Sequence, residues 1–304
     1  MNALVYFGSF GITLVGMPLI LRLAFAVGAV DQPDGVRKRH TRPTPRLGGL
    51  WVFSVFFVSA CLCVPLSDGR FVALLSGGTL LVAAGVIDDT QDLPPAAKLC
   101  FQTVAALIAL LFVRLPSTWE LLGLSLTLPA WLSFALYLLF TVLVINAVNL
   151  IDGVDGLASG VMAVVLLGAA LLAHARADAQ GGTLALLLCV PLLAFLLYNR
   201  HPATVFLGDA GAQFLGLAAA VLLLPGQDDT PFPIGSVALL AVPLCELIVS
   251  IVRRLSKGQS PLRADDGHLH HRLLRNGMSE AAVVASYVLL SACAALVGYT
   301  LGVS

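Results

Sequence analysis

Charge is what this 304-residue sequence has least of: 11% of its residues are Asp, Glu, Lys or Arg, where a soluble domain carries about a quarter. With 59% hydrophobic residues beside that shortage, a soluble globule is excluded. The charges that exist cancel to a formal net of zero, so no bulk field invites nucleic acid as a partner. Cysteine is scarce too, and Cys61, Cys63, Cys100, Cys189, Cys245 and Cys293 lie in or beside apolar runs without a CxxC pair. Neither a disulfide framework nor a thiolate metal site follows, and these residues read as small hydrophobes. The first 21 residues hold no Lys or Arg. A secretory signal needs a positive n-region, so the AFAVGAV string is not a cleavage site and the N-terminal run reads as a retained span. Repeats, inverted symmetry and dividing linkers are also missing, which predicts one domain over residues 1–304.

What is there is a succession of long apolar runs. A spanning helix needs about 20 mostly apolar residues, and candidates fall at 3–29, 47–66, 70–87, 99–115, 130–148, 157–175, 182–198, 205–224, 234–252 and 281–302. The expected fold is therefore all-α, a polytopic bundle of about ten transmembrane helices in the lipid bilayer. A β-barrel would show alternating strands instead. Residues 118–129 are too short to span and end in Pro129, which predicts an interfacial turn or hairpin. With the N-terminus outward, the inward loops hold thirteen basic residues, from Arg37, Lys38, Arg39, Arg42 and Arg46 through Lys98 and Arg200 to Arg253, Arg254, Lys257, Arg263, Arg272 and Arg275. The outward side keeps Arg70, Arg114 and Arg176, and the positive-inside rule selects this orientation. Asp228 and Asp229 then sit in an outward turn that reads as solvated.

Five polar strings converge on the inward face, each at the mouth of a span, where acidic groups so close to hydrocarbon are costly and are functional candidates. Asp88 and Asp89 end the third span in VIDDTQD, and Lys98 opens the fourth. Adjacent carboxylates repel, so one of the pair suits a general base; a capped, solvated loop is the plainer reading. In NAVNLIDGVDGLASG, Asn146, Asn149 and Asp152 recur at one helical face, while Gly153 and Gly156 permit a bend from which Asp155 projects. Such amides and carboxylates suit a sugar, a base or a hydrated cation. The string YNRHPATVFLGDAG brings Asn199 to the end of the seventh span and Asp209 to the start of the eighth. There the macrodipole alone favours an acid, and a Mg²⁺ ligand is the sharper reading.

The long inward loop carries HLHHRLL, with His268, His270 and His271 too closely spaced to share one helical face. No HExxH pattern supports zinc, and imidazoles beside arginines suit diphosphate oxygens. Residues 268–276 read as a short amphipathic surface helix stopped at Gly277, with Ser279 capping the last span. The basic cluster at 31–49 either anchors the chain against anionic lipid or grips phosphate.

Taken in order, DQPDxxRKxHxxPxPRxGG, DDxxDLxxxxK, NAVNLIDGVDGLA, PATVFLGDAG and HLHHRLL resemble the polyprenyl-phosphate N-acetylhexosamine-1-phosphate transferase family, from about residue 31 to about 275. The resemblance implies transfer of a sugar 1-phosphate, GlcNAc-1-phosphate first among the candidates, from a UDP-N-acetylhexosamine to undecaprenyl phosphate with release of UMP. It implies Mg²⁺, with Mn²⁺ as substitute, and a bacterial inner membrane with the active site facing the cytoplasm. The HLHHRL form is closer to the branch serving O-antigen and related glycans than to the branch that starts peptidoglycan. Carried over by motif, Asp209 holds the metal, Asp88 deprotonates or orients the lipid phosphate and Asp89 supports it. Asp152 and Asn149 contact nucleotide or diphosphate, Asp155 shapes the site, and Lys98 and His268 steady phosphate oxygens. Lys38, Asn146, Asn199, His270 and His271 complete the substrate-binding set. A homodimer is only the default expectation for an oligomer.

Two departures stand out: Ala212 where the family often has serine, and Pro243 followed by Glu246 where Pro-x-x-Asp is usual. Two other classes compete. An intramembrane prenyltransferase would use Asp88, Asp89 and Asp92 as DDxxD, but needs a second aspartate-rich motif that NLIDGVDG does not supply. A transporter would place its carboxylates near the midplane on broken helices, not at one face.

Overall fold

The computed structural model describes residues 2–33, 42–121, 123–225, 231–260 and 267–303. Lys38 and its basic neighbours, and Asp228 with Asp229, lie outside the described residues. Helices α1 (Asn2–Val27), α2 (Gly48–Cys63), α3 (Gly69–Gln91), α4 (Pro95–Leu110), α5 (Ala130–Ile151), α6 (Leu157–Ala175), α7 (Ala179–Asn199), α8 (Gly208–Leu222), α9 (Ala241–Ser256), α10 (Leu269–Arg275) and α11 (Glu280–Val303) follow one another. Seven helical stretches among the described residues are long and apolar enough to cross a membrane. The shorter apolar helices α2, α4 and α8 complete the ten expected spans of a multi-pass membrane protein. Outer helices present apolar side chains outward, Leu4, Phe7 and Val15 of α1 being about 80% exposed, as lipid-facing positions should.

At the centre stands α8, buried along nearly its whole length. Its alanines and glycines permit this, because in a bilayer helices associate through close packing of small residues. A Cβ on Gly49 of α2 would lie 2.2 Å from the Cα of Gly211, and one on Gly85 of α3 would lie 2.3 Å from the Cα of Ala210. Backbones therefore touch on two sides of α8, and any side chain there would push α2 or α3 off it.

The helix ends explain how polar groups collect at one end of the bundle. Asp92 takes a left-handed φ of 51° and closes α3 through its N–H to the Asp88 carbonyl. Pro95 then starts α4 in the first helical position, where a missing N–H costs nothing. The third span thus runs past Asp88 and Asp89, which sit in its last turns and not in a loop. Gly156, at φ 76°, reverses the chain between α5 and α6. At the opposite end, β3 (Thr118–Leu121) and β4 (Leu124–Thr127) form the expected hairpin, joined in parallel by β5 (Phe232–Pro233). Trp119, Tyr137 and Phe232 stack beneath it. The amphipathic helix expected at 268–276 is α10, ended by Gly277 at φ 93°, and Ser279 Oγ accepts from the N–H of Ala282 to cap α11.

Candidate active site

At one end of the bundle, the mouths of α1, α3, α4, α5, α7, α8 and α11 surround a cleft of about 1060 Å³. Its floor is built by α8. Gly208 opens that helix at φ 73°, and both carboxylate oxygens of Asp89 accept from its free N–H groups, Asp209 N at 3.2 Å and Ala210 N at 3.5 Å. Asp89 is therefore a helix cap supplied from α3, favoured by the macrodipole. Asp209 follows in the first turn. Its Oδ1 accepts from the Asn149 amide at 2.6 Å and its Oδ2 from Lys98 Nζ at 2.9 Å. Lys98 also contacts Asp88 Oδ2, while Asp88 Oδ1 accepts from the N–H of Leu93 at 2.7 Å. One ammonium thus bridges carboxylates from α3 and α8, which are 121 positions apart in sequence.

Asp152, at the C-terminal end of α5, joins the same wall. Its pKa is driven well above the ordinary carboxylate range, by desolvation first and then by the charges of Asp209 and Asp89. Crowding among these carboxyl groups thus favours the neutral form of Asp152. The carboxyl oxygens of Asp88, Asp152 and Asp209 in one lining are a donor set suited to a hard divalent cation, whose charge would offset that crowding.

Around this centre lies a rim. Asp155 accepts from Ala203 N at 2.9 Å and pairs with His201 Nδ1 at 3.0 Å, and the same nitrogen lies 2.9 Å from Glu280 Oε2. These three offer atoms within 4.8 Å of one another, and the ring bridging two carboxylates ties the 152–156 turn to the start of α11. Across the mouth, Arg46 pairs with Asp31, and β1 (Val30–Asp31) with β2 (Thr44–Pro45) docks through Phe206 N to the Pro45 carbonyl at 2.8 Å.

Most of the residues singled out in the sequence meet here. Asp88, Asp89, Lys98, Asn149, Asp152, Asp155, Asn199, Asp209 and His271 all line the cleft. Three others sit behind it. Asn146 is a turn deeper on α5 and donates to Gln102 at 2.7 Å, beneath the cleft. His270 is fully buried against Glu246. His268 stacks on His270 at 5.6 Å, and burial, followed by the His270 charge, lowers its pKa to about 4, so it carries no charge at neutral pH. Asn199 reaches the lining but has both ends occupied, by Ser159 Oγ at 2.7 Å and the Val205 carbonyl at 2.9 Å. Sequence reading gave no role to Asp31, His201 or Glu280, although Asp31 opens the DQPD string and His201 lies within YNRHPATVFLGDAG; for Glu280 the signal was an acid in the first turn of α11.

Against this geometry the comparisons are specific. The sequence model of glycosyl transferase family 4 matches residues 71–227, which contain α3 to α8 and all the groups around Lys98. A probable undecaprenyl-phosphate N-acetylglucosaminyl 1-phosphate transferase of Bacillus subtilis is 33% identical over 88% of this chain and 75% of its own length. A decaprenyl-phosphate N-acetylglucosaminephosphotransferase of Mycobacterium tuberculosis is 32% identical over 86% of this chain and 73% of its own. An undecaprenyl-phosphate alpha-N-acetylglucosaminyl 1-phosphate transferase of Yersinia pestis is 29% identical over 91% and 78%. On the match to the family's sequence model and this near-complete coverage, the chain belongs to glycosyl transferase family 4.

Proposed function

We propose that this enzyme transfers N-acetylglucosamine 1-phosphate from UDP-N-acetylglucosamine to undecaprenyl phosphate, releasing UMP, at the cytoplasmic face of a bacterial inner membrane. The observation that carries this reading is the Lys98 bridge between Asp88 and Asp209, with Asn149 on the second oxygen of Asp209. In the reaction a bond forms between an acceptor phosphate oxygen and the sugar-bearing phosphorus. The bond from that phosphorus to the oxygen it shares with UMP breaks, and UMP leaves as the phosphate.

Such chemistry needs positioning and charge neutralisation more than covalent work by the protein. Asp209 is the residue we assign to Mg²⁺, with Asp88 and Asp152 in the same wall. When bound there, the ion would offset the charge of the diphosphate. Lys98 holds Asp88 and Asp209 in register and offers its ammonium to phosphate oxygens. Asp88, its Oδ1 fixed by the Leu93 N–H and its Oδ2 against Lys98, places that ammonium to orient the lipid phosphate. Asn149 fixes the rotamer of Asp209. The acceptor's isoprenoid chain stays in the bilayer while its headgroup enters between span mouths, where the lining includes Leu21 and Phe25 of α1.

The cytoplasmic orientation rests on the thirteen inward basic residues, and the glucosamine assignment on what the relatives are named for. Purified protein in nanodiscs with undecaprenyl phosphate and Mg²⁺ tests both substrates directly. UMP release is expected with UDP-GlcNAc and weaker with UDP-GalNAc. No UMP from any UDP-sugar would overturn the reading.

A further inference from the structure

The ninth span carries a buried carboxylate that the transfer reaction does not touch. Glu246 of α9 is 2% exposed, and a buried acid needs partners. It accepts from the backbone N–H groups of Leu269 at 3.1 Å and His270 at 3.0 Å, and from the hydroxyl of Tyr287 on α11. It also pairs with His270 Nδ1 at 3.0 Å. One carboxylate therefore gathers α9, α10 and α11, and it fixes the orientation of the His270 ring, whose Nδ1 faces Glu246. That leaves Nε2, which is buried and has no hydrogen-bond partner among the described residues. This nitrogen points at the cleft turn, since a Cβ on Gly153 would lie 3.2 Å from it and 3.4 Å from His271 Nε2. The rings of His270 and His271 are 4.4 Å apart. Both imidazole edges therefore lie against the backbone beside Asp152.

We infer that Glu246 is a positioning residue for the donor's diphosphate: through His270 it sets the seat of the histidine pair that closes the 152–156 side of the cleft. This inference rests on the reading that a UDP-sugar occupies the cleft. Outer partners of this kind act by orienting the group in front of them, and losing one typically costs about 10–100-fold. Glutamate, one methylene longer than aspartate, reaches two backbone N–H groups and the imidazole at once.

The test is UMP release by nanodisc-embedded Glu246→Gln, Glu246→Asp, His270→Asn and the double variant Glu246→Gln/His270→Asn, with melting curves for each. Glu246→Gln keeps the size but cannot hold the same proton arrangement. Its melting temperature should fall, because the amide nitrogen opposes a backbone N–H, but in the folded fraction its KM for UDP-GlcNAc should rise about 10-fold while its KM for undecaprenyl phosphate stays within about 2-fold. Glu246→Asp should recover part of the loss. The double variant should be no worse than His270→Asn alone, because the carboxylate acts through that ring. A merely structural glutamate would lower the active fraction and leave KM unchanged, and that result overturns the inference. Additive losses in the double variant overturn it too. If Glu246→Gln does not assemble, the cycle of Glu246→Asp with His270→Asn gives the same comparison. Absence of UMP from the wild type would instead sink the functional reading beneath it.

Discussion

Gly208 offers the sharpest perturbation of the site, because the structure separates its two constraints. Its φ of 73° is left-handed, so alanine there carries a strain of about 1–2 kcal/mol. Beyond that, a Cβ would lie 2.2 Å from the Arg46 carbonyl oxygen and 2.6 Å from Asp89 Oδ2. A backbone carbonyl cannot swing aside, so the α8 N-terminus, its Asp89 cap and Asp209 must move by about 1 Å, a misplacement that can cost about 100-fold in rate. That is about 2.7 kcal/mol in the barrier. Gly123 in the hairpin turn is the control: its φ is 79° and a Cβ there meets nothing within 4 Å. Gly123→Ala should share the strain, melt a few degrees lower and turn over within about 2-fold of wild type. Gly208→Ala should melt lower still, since the clash adds to the strain, and its folded fraction should lose about 100-fold in UMP release. Equal turnover by the two variants would refute the idea that the α8 start positions the site.

Further outcomes follow from groups away from the reacting atoms. Asn199→Ala removes a buried amide that ties Ser159 to the Val205 carbonyl, and should lower stability by about 1–3 kcal/mol while leaving KM for UDP-GlcNAc unchanged; a raised KM would make Asn199 a substrate contact after all. On the opposite face, Arg70 and Asp178 form a pair whose side chains are 8% and 13% exposed. Burial raises the Asp178 pKa, but the Arg70 hydrogen bond and charge outweigh it, so the carboxyl is held below its ordinary range. A depressed acid contributes stability that is full above its unfolded value and lost as pH falls through the folded one. Asp178→Asn should therefore melt well below wild type at pH 7, and the gap should close only below about pH 4. A gap independent of pH would assign the loss to packing.

How far the sequence carries the fold differs by kind of feature. Runs of apolar residues are enough to fix spans, because a bilayer has one thickness, and the hairpin at 118–129 and the surface helix at 268–276 follow from runs too short to cross. Helix ends were less legible: α3 continues through Asp88 and Asp89 because Asp92, not the aspartate pair, takes the left-handed closing position. Spacing suggests one shared helical face for Asn146, Asn149 and Asp152, but α5 ends before Asp152 and only the neighbours decide their parts. Asn149 meets Asp209 of α8, while Asn146 meets Gln102 of α4 one turn deeper. The histidines show the same limit. Their motif marks the region, but which ring lines the cleft depends on Glu246, 24 positions away from His270, and no local pattern encodes that pairing.

The central claim is that Asp209 holds a divalent cation on which transfer depends. Measuring Mn²⁺ binding by electron paramagnetic resonance alongside UMP release, in wild type and Asp209→Asn, tests it most directly. The account predicts a saturable site in the wild type, weakened in the variant, with turnover reduced about 100–1000-fold and abolished by chelation in both. Asp209→Asn that binds Mn²⁺ and releases UMP like the wild type, or wild-type turnover that survives chelation, would contradict it.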